Sequence, residues 1–180
     1  MRKRLTIVVS GPSGVGKGTI AKLLVERNEN ISLSISCTTR QPRDGEINGR
    51  EYFFVDKKSF KEKIDNNGLL EYSEHFENYY GTPKDFVMKS LENKDVLLEI
   101  DVNGGLEVKK SYPEAVLIMV APPSTEEIKN RLIKRNTETL EKIELRMQRI
   151  DYELEKKKFY DYTVINDDLN EAITDIEQII

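Results

Sequence analysis

The sequence predicts an α/β fold in which a parallel β-sheet carries helices on its faces. Three observations lead there. Residues 96–100 (VLLEI) and 115–120 (AVLIMV) are near-continuous apolar runs, the pattern of strands buried on both faces. Strand-like runs alternate with helical patterns along the chain, the order that a parallel sheet with crossover helices requires. A glycine-rich stretch follows the first apolar run and opens the first helical pattern. At 180 residues the chain is one domain long, with room for a single sizeable core.

Taken in order, residues 5–10 read as the first strand. With Met1-Arg2-Lys3-Arg4 before it, this run superficially resembles a signal peptide. It is too short, however, and leads directly into the glycine loop. Lys17–Arg27 reads as a helix and residues 31–36 as a second strand. Between 37 and 82 the alternation breaks into strand-like pieces at 52–55 and 69–75, a short helix around 60–66 and two turn-rich loops. Thr82-Pro83-Lys84-Asp85 offers a capping hydroxyl before a Pro at the first helical position. Ser124-Thr125-Glu126-Glu127 is a capping box, in which the Ser accepts from the third helical N–H and Glu127 reaches back. Residues 134–150 are densely charged. Tyr162–Ile165 is the last core strand, and a helix starts at Leu169. Residues 1–36, 83–133 and 151–180 therefore read as a core. Residues 37–82 and 134–150 read as two insertions, of the kind that carries binding groups and lids on a rigid scaffold.

Composition excludes several classes of function. No stretch approaches the ~20 apolar residues of a membrane span. The net charge of −4 argues against a surface built for nucleic acid, so cations that hold an anionic ligand must be local. Cys37 is the only cysteine; no disulfide or cysteine metal cluster can form within the chain, in keeping with a cytoplasmic location. His75, the only histidine, has no Cys or His partner nearby in sequence. It reads as a structural or surface residue, and no zinc site is expected.

The strongest signal is Gly11-Pro12-Ser13-Gly14-Val15-Gly16-Lys17-Gly18-Thr19. A glycine-rich loop between a buried strand and a helix lets successive backbone N–H groups point inward as an anion nest. The helix N-terminus adds partial positive charge. Lys17 brings a full charge to the β- and γ-phosphates of a nucleotide. The fold class expected is therefore a P-loop NTPase-type three-layer core with a parallel sheet. The strict motif has Ser or Thr directly after Lys; here Gly18 stands there and Thr19 follows. The Gly-Lys-Gly-Thr form resembles nucleoside monophosphate kinases, and that resemblance implies Mg²⁺ held mainly through the ATP phosphates and water, with Thr19 and Glu99 as candidate contacts.

The run from Ser36 through Phe54 (SCTTRQPRDGEINGREYFF), together with Asn78-Tyr79-Tyr80-Gly81-Thr82, Glu99-Ile100-Asp101-Val102-Asn103-Gly104 and Val164-Ile165-Asn166-Asp167-Asp168, resembles the recurrent stretches of guanylate kinases. The resemblance extends over essentially the whole chain. It implies that residues 37–82 form a small mixed α+β insertion binding the nucleoside monophosphate, and that 134–150 form a helical lid. It also implies roles. Arg40 and Arg43, which alone read as solvated loop charges, would grip the GMP phosphate through forked donors. Tyr52 and Tyr80 would donate hydroxyls to the same phosphate. Glu71 and Asp101 would accept from guanine N1–H and N2–H₂, since ionised carboxylates only accept; Asp101 also reads as a helix cap. Ser36 and Thr82 would donate to O6. Asn166 would border the adenine of ATP.

Lid arginines in this family close over ATP and stabilise the transferred phosphoryl group. By resemblance that role falls to Arg135 and Arg146, and also to Arg131. Where the family usually has Gly-Arg-Gly, this chain has Lys134-Arg135-Asn136. The expected function is Mg²⁺-dependent, in-line transfer from ATP to GMP, and to dGMP, by a monomer or homodimer. The competing readings are a non-catalytic binding module of the same fold and a kinase of a phosphoribosyl phosphate.

Overall fold

The computed structural model describes residues 3–75, 77–135 and 139–180. Its elements run β1 (Thr6–Ser10), α1 (Lys17–Arg27), β2 (Ile31–Leu33), β3 (Cys37–Thr38), β4 (Phe53–Phe54), α2 (Lys57–Asp65), β5 (Leu69–His75), β6 (Asn78–Pro83), α3 (Lys84–Leu91), β7 (Asp95–Glu99), α4 (Val102–Ser111), β8 (Val116–Ala121), α5 (Thr125–Arg135), α6 (Leu140–Glu155), β9 (Tyr162–Ile165) and α7 (Leu169–Ile179).

β1 is buried at every residue and lies at the centre of a five-stranded sheet of order β2-β7-β1-β8-β9. All four pairings in that sheet are parallel. Side chains alternate along β1, so its two faces feed two cores. Ile7 and Val9 pack with Ile20 and Leu24 of α1 and with Ile173 and Ile176 of α7. Val8 packs on the other face with Val87 of α3 and with Val102 and Val108 of α4. These are three layers of the predicted α/β class, with the sheet in the middle. Burial on both faces explains why β7 and β8 read as unbroken apolar runs.

A second, four-stranded sheet of order β4-β3-β6-β5 mixes one parallel and two antiparallel pairings. It has its own small core of Cys37, Phe60 and Leu69. Burial pushes the Cys37 thiol up to about 11, and its Sγ donates to the Gly81 carbonyl at 3.4 Å. The thiol is thus a neutral packing group at physiological pH. Helices α5 and α6 pack on each other through Ile128, Ile143, Met147 and Ile150.

The helix Lys17–Arg27 and the strands 69–75 and 162–165 fall where the sequence puts them. Three expectations are corrected. The strand expected over 31–36 stops at Leu33, its last partner on β7 being Leu97; the chain crosses over and re-enters the second sheet at Cys37, opposite Gly81. The helix expected at 60–66 begins at Lys57, because Asp56 caps it by accepting from Ser59 N at 2.6 Å. Thr82 caps nothing. β6 runs on through Pro83, paired with Leu69, and Lys84 N–H donates to Gly68 O at 2.9 Å. By contrast, Ser124 does cap α5, accepting from Glu127 N at 3.2 Å. Among the described residues, no helix is long and apolar enough to cross a membrane.

α4 approaches β1 and the chain segment before β9 at a close contact. Tyr160 Oη donates to Val102 O at 2.9 Å, and a Cβ built on Gly105 would overlap that hydroxyl and come within 3.1 Å of Ser10 Oγ. Gly105→Ala should therefore lower unfolding stability by about 1–3 kcal/mol. Removing the obstructing hydroxyl in the double variant Gly105→Ala/Tyr160→Phe should recover part of the loss. Denaturant melts of the single and double variants measure both, and strictly additive losses would rule out the contact as the cause.

Candidate active site

β1 ends at Ser10, and the chain turns through Gly11–Thr19 into α1. Gly14 and Gly16 stand at φ 82° and 95°, the left-handed region that residues with a Cβ rarely enter. Gly16 is the N-cap of α1, with no side-chain cap and no acidic residue in the first helical turn. The helix therefore presents its uncompensated N–H groups and its positive dipole end to whatever the loop encloses. Val15 N donates to Pro12 O at 3.2 Å, closing the loop. Asn166, at the end of β9, secures the loop from outside: its Nδ2 donates to Val15 O at 2.8 Å. A Cβ on Gly16 would lie 2.7 Å from that Nδ2. Ser13 on the loop and Gly18 and Thr19 in the first turn of α1 are exposed.

Beside the loop lies a cleft of about 420 Å³ lined by Lys17 and Glu99, by Ser36, Arg43 and Tyr52, by Glu71, Ser73, His75 and Tyr80, and by Asp101. It opens at the carboxyl ends of β1 and β7, where parallel α/β sheets bind ligands. Its far wall is the second sheet. The period of two along β5 places Glu71, Ser73 and His75 on one face, and Tyr80 of β6 stands directly opposite Ser73. The Tyr80 ring is 6.1 Å from the Tyr52 ring, edge-on, and 6.1 Å from His75.

The electrostatics of the cleft are divided. Partial burial raises the Glu99 carboxyl above its ordinary value, and Lys17, at the phosphate-loop end, only partly offsets that. The other end is acidic. Glu71 is only 7% exposed. Burial, aided by the nearby Asp101, pushes its carboxyl up to about 7 against the opposing hydrogen bond from Thr82. That bond runs from Thr82 Oγ1 to Glu71 Oε1 at 2.6 Å, and Thr82 is wholly buried. Its hydroxyl is therefore committed to Glu71. Asp101 caps α4, with Oδ1 accepting from Gly104 N at 2.8 Å, so the cap reading is correct. Oδ2 faces His75 Nε2 at 3.5 Å. The expectation that His75 is a structural or surface residue overlooked this position. Its signal in the sequence was the strand period that aligns it with Glu71.

The cationic residues divide as well. Arg43 lines the cleft. Arg40 stands one ring behind it, over Tyr52 at 5.5 Å and Phe54 at 5.8 Å. Its Nη2 donates to both carboxylate oxygens of Glu46 at 2.9 and 3.0 Å, a pairing the sequence did not suggest. Glu46 also accepts from Arg43 N at 2.8 Å, so one carboxylate organises both arginines. Of the expected lid residues, Arg131 and Arg135 lie on α5, and their side chains fall outside the described residues, as does Asn136. Arg146 is exposed on α6 and is not among the cleft-lining residues.

Strand, glycine loop, helix and adjoining cleft define a nucleotide-binding protein of the P-loop class. The guanylate kinase family model matches residues 3–180. The guanylate kinase of Caldanaerobacter subterraneus subsp. tengcongensis is 49% identical over 180 residues, covering 99% of this chain and 87% of that protein. The guanylate kinase of Clostridium tetani is 49% identical over 181 residues, covering 100% and 86%. Among solved structures, guanylate kinase from Anaplasma phagocytophilum superposes with a TM-score of 0.78 at 30% identity, over 99% of this chain and 85% of that one. The chain belongs to the guanylate kinase family.

The buried acid makes a stability prediction. Glu71 in the folded chain holds its proton up to about pH 7, against about 4.3 for an unperturbed Glu. The folded state thus binds the proton more tightly than the unfolded chain. Stability is fully present below about pH 4 and is lost as pH rises through 7. Glu71→Gln, which keeps an acceptor for Thr82 Oγ1, should match the parent near pH 4–5 and exceed it by about 1–3 kcal/mol at pH 8. Denaturant melts across that range test this, and a difference that does not change with pH would refute it.

Proposed function

We propose that the protein transfers the γ-phosphate of ATP to GMP, and to dGMP, giving ADP and GDP. The observation that carries this reading is a single cleft with Lys17 of the phosphate loop at one end and the acids Glu71 and Asp101 at the other. A donor's phosphates and a purine rich in N–H donors can therefore face each other across it.

In this reading the backbone N–H groups of Gly11, Ser13, Gly14, Val15, Gly16, Lys17, Gly18 and Thr19 wrap the ATP phosphates, Pro12, which has no N–H, shapes the turn, and Lys17 neutralises the β/γ end. Asn166 holds the loop's shape from the adenine side. Arg43, Tyr52 and Tyr80 donate to the GMP phosphate, and Arg40 joins them by exchanging Glu46 for the stronger dianion. Glu71 and Asp101 accept from guanine N1–H and N2–H₂, Ser36 donates to O6, and Thr82 acts through Glu71. Adenine, with an acceptor at N1 and a donor at N6, would leave a carboxylate unpaired at a cost of about 1–3 kcal/mol. Arg131, Arg135 and Arg146 are assigned to the transferring phosphoryl group.

Among the described residues, no group of three or more His, Cys, Asp or Glu could hold a metal. Isolated oxygens at Thr19 and Glu99 beside a phosphate loop suit a hard cation that arrives with the nucleotide's own oxygens and water. Mg²⁺ held there would supply charge neutralisation on the β- and γ-phosphates. The chain's contribution is alignment of the two substrates, for which effective molarity can supply ~7–11 kcal/mol. Closure of residues 37–82 and 134–150 on the core would exclude water from the aligned pair. The reading places the enzyme in the cytoplasm, where both nucleotides are found.

Coupled ADP-release assays across GMP, dGMP, AMP, UMP and CMP test it. Turnover is expected with GMP and dGMP and not with AMP; activity on AMP without GMP would overturn the base-recognition argument. Lys17→Ala should reduce kcat by roughly 10²–10³-fold or more without loss of fold, judged by circular dichroism.

The acid limb of the pH profile provides a further check. Ionised Glu71 is the form that only accepts, as a guanine N–H donor requires. The plot of kcat/KM for GMP should therefore rise with pH through about 7, and Glu71→Gln should abolish that limb along with most of the activity. A limb that persists in the variant would assign it to another group.

A further inference from the structure

We propose that His75 is a positioning residue for acceptor recognition, holding Asp101 Oδ2 toward the guanine; this deepens the GMP-kinase reading and rests on it. The two oxygens of Asp101 have different surroundings. Oδ1 is occupied by the α4 cap, accepting from Gly104 N at 2.8 Å. Oδ2 is the oxygen left to meet a ligand, and His75 Nε2 stands 3.5 Å from it, longer than a formed N–H···O bond and near enough for its dipole to act on the carboxylate. A carboxylate oxygen accepts more than one hydrogen bond. An Nε2–H on one side of Oδ2 therefore leaves room for a guanine N–H on the other.

Two features fix the imidazole in that place. It projects from the same face of β5 as Glu71 and Ser73, and its ring packs on Tyr80 of β6 at 6.1 Å. His75 and Asp101 are each about one-third exposed, at 36% and 31%. Both are thus open to a ligand in the cleft, unlike the deeply buried Glu71. Among the described residues, the charged and titratable groups that line the cleft with this pair are Glu71 on β5, Tyr80 on β6 and, across the cleft, Lys17, Arg43, Tyr52 and Glu99. Asp101 and Glu71 repel each other. An N–H dipole beside Oδ2 offsets that repulsion and keeps Asp101 from turning away when guanine is absent. Binding then needs no reorientation of the acid, and the gain is in acceptor affinity rather than in the chemical step.

The test is a double-mutant cycle read by steady-state kinetics with GMP and ATP varied separately, using the parent, His75→Ala, His75→Gln, Asp101→Asn and His75→Ala/Asp101→Asn. Asn keeps the helix cap. His75→Ala should raise the KM for GMP by about 3–10-fold with kcat and the KM for ATP within about twofold. His75→Gln, whose amide N–H can occupy the Nε2 position, should recover most of the loss. In the Asp101→Asn background, His75→Ala should add less than about twofold. The proposal is overturned if His75→Ala leaves the KM for GMP unchanged, if it lowers kcat instead, or if it costs the same factor with and without Asp101. A parent chain that does not turn over GMP would instead overturn the function proposed above, and this inference with it.

Discussion

Burial of β1 on both faces is the constraint on which the rest depends. A strand covered on two sides must be apolar throughout, must pair in parallel with strands equally covered, and must leave the sheet where the helices end. In this chain that exit is Ser10, and the only way onward between β7 and β8 is a tight turn of small residues. The turn's left-handed glycines and the uncapped start of α1 thus follow from the sheet. The same geometry brings the carboxyl end of β7, with Glu99 and Asp101, beside the loop. The amides of the glycine loop and the acids of the cleft meet because one strand is central.

The second sheet supplies what the core lacks. The core alone offers a phosphate site open on one side. By pairing β3 with β6 and β6 with β5, the chain brings Glu71 and Tyr80 to face Lys17. It buries Glu71 with no cationic partner among the described residues and satisfies one oxygen with the hydroxyl of Thr82. This arrangement opposes stability at neutral pH, and it makes sense for a group whose partners come with a ligand. Arg40 shows the opposite arrangement. Its guanidinium is already paired with Glu46, which ties the loop that carries it to a carboxylate of the same loop.

The amino-acid sequence by itself determined the elements whose causes are local. Apolar runs marked β1, β7 and β8; the glycines and Lys17 marked the phosphate loop; Ser124 marked the start of α5. Strand period, capping and turn chemistry act between residues a few positions apart, so they can be read along the chain. The long motif from Ser36 to Phe54 also pointed to the site's membership, and three of its four candidate residues, Ser36, Arg43 and Tyr52, line one cleft.

Only the tertiary structure decided who meets whom. Thr82 reads locally as a cap, yet its hydroxyl serves Glu71, because β5 and β6 pair through Pro83 and turn it inward. His75 reads as a bystander until β5 packs against α4 and sets it beside Asp101, the cap of that helix, 26 positions on in the chain. The pairing of Arg40 with Glu46 depends on a loop fold that no periodicity encodes. In each case the deciding interaction joins segments brought together by packing, and a polar side chain with several possible partners takes the one that burial leaves within reach.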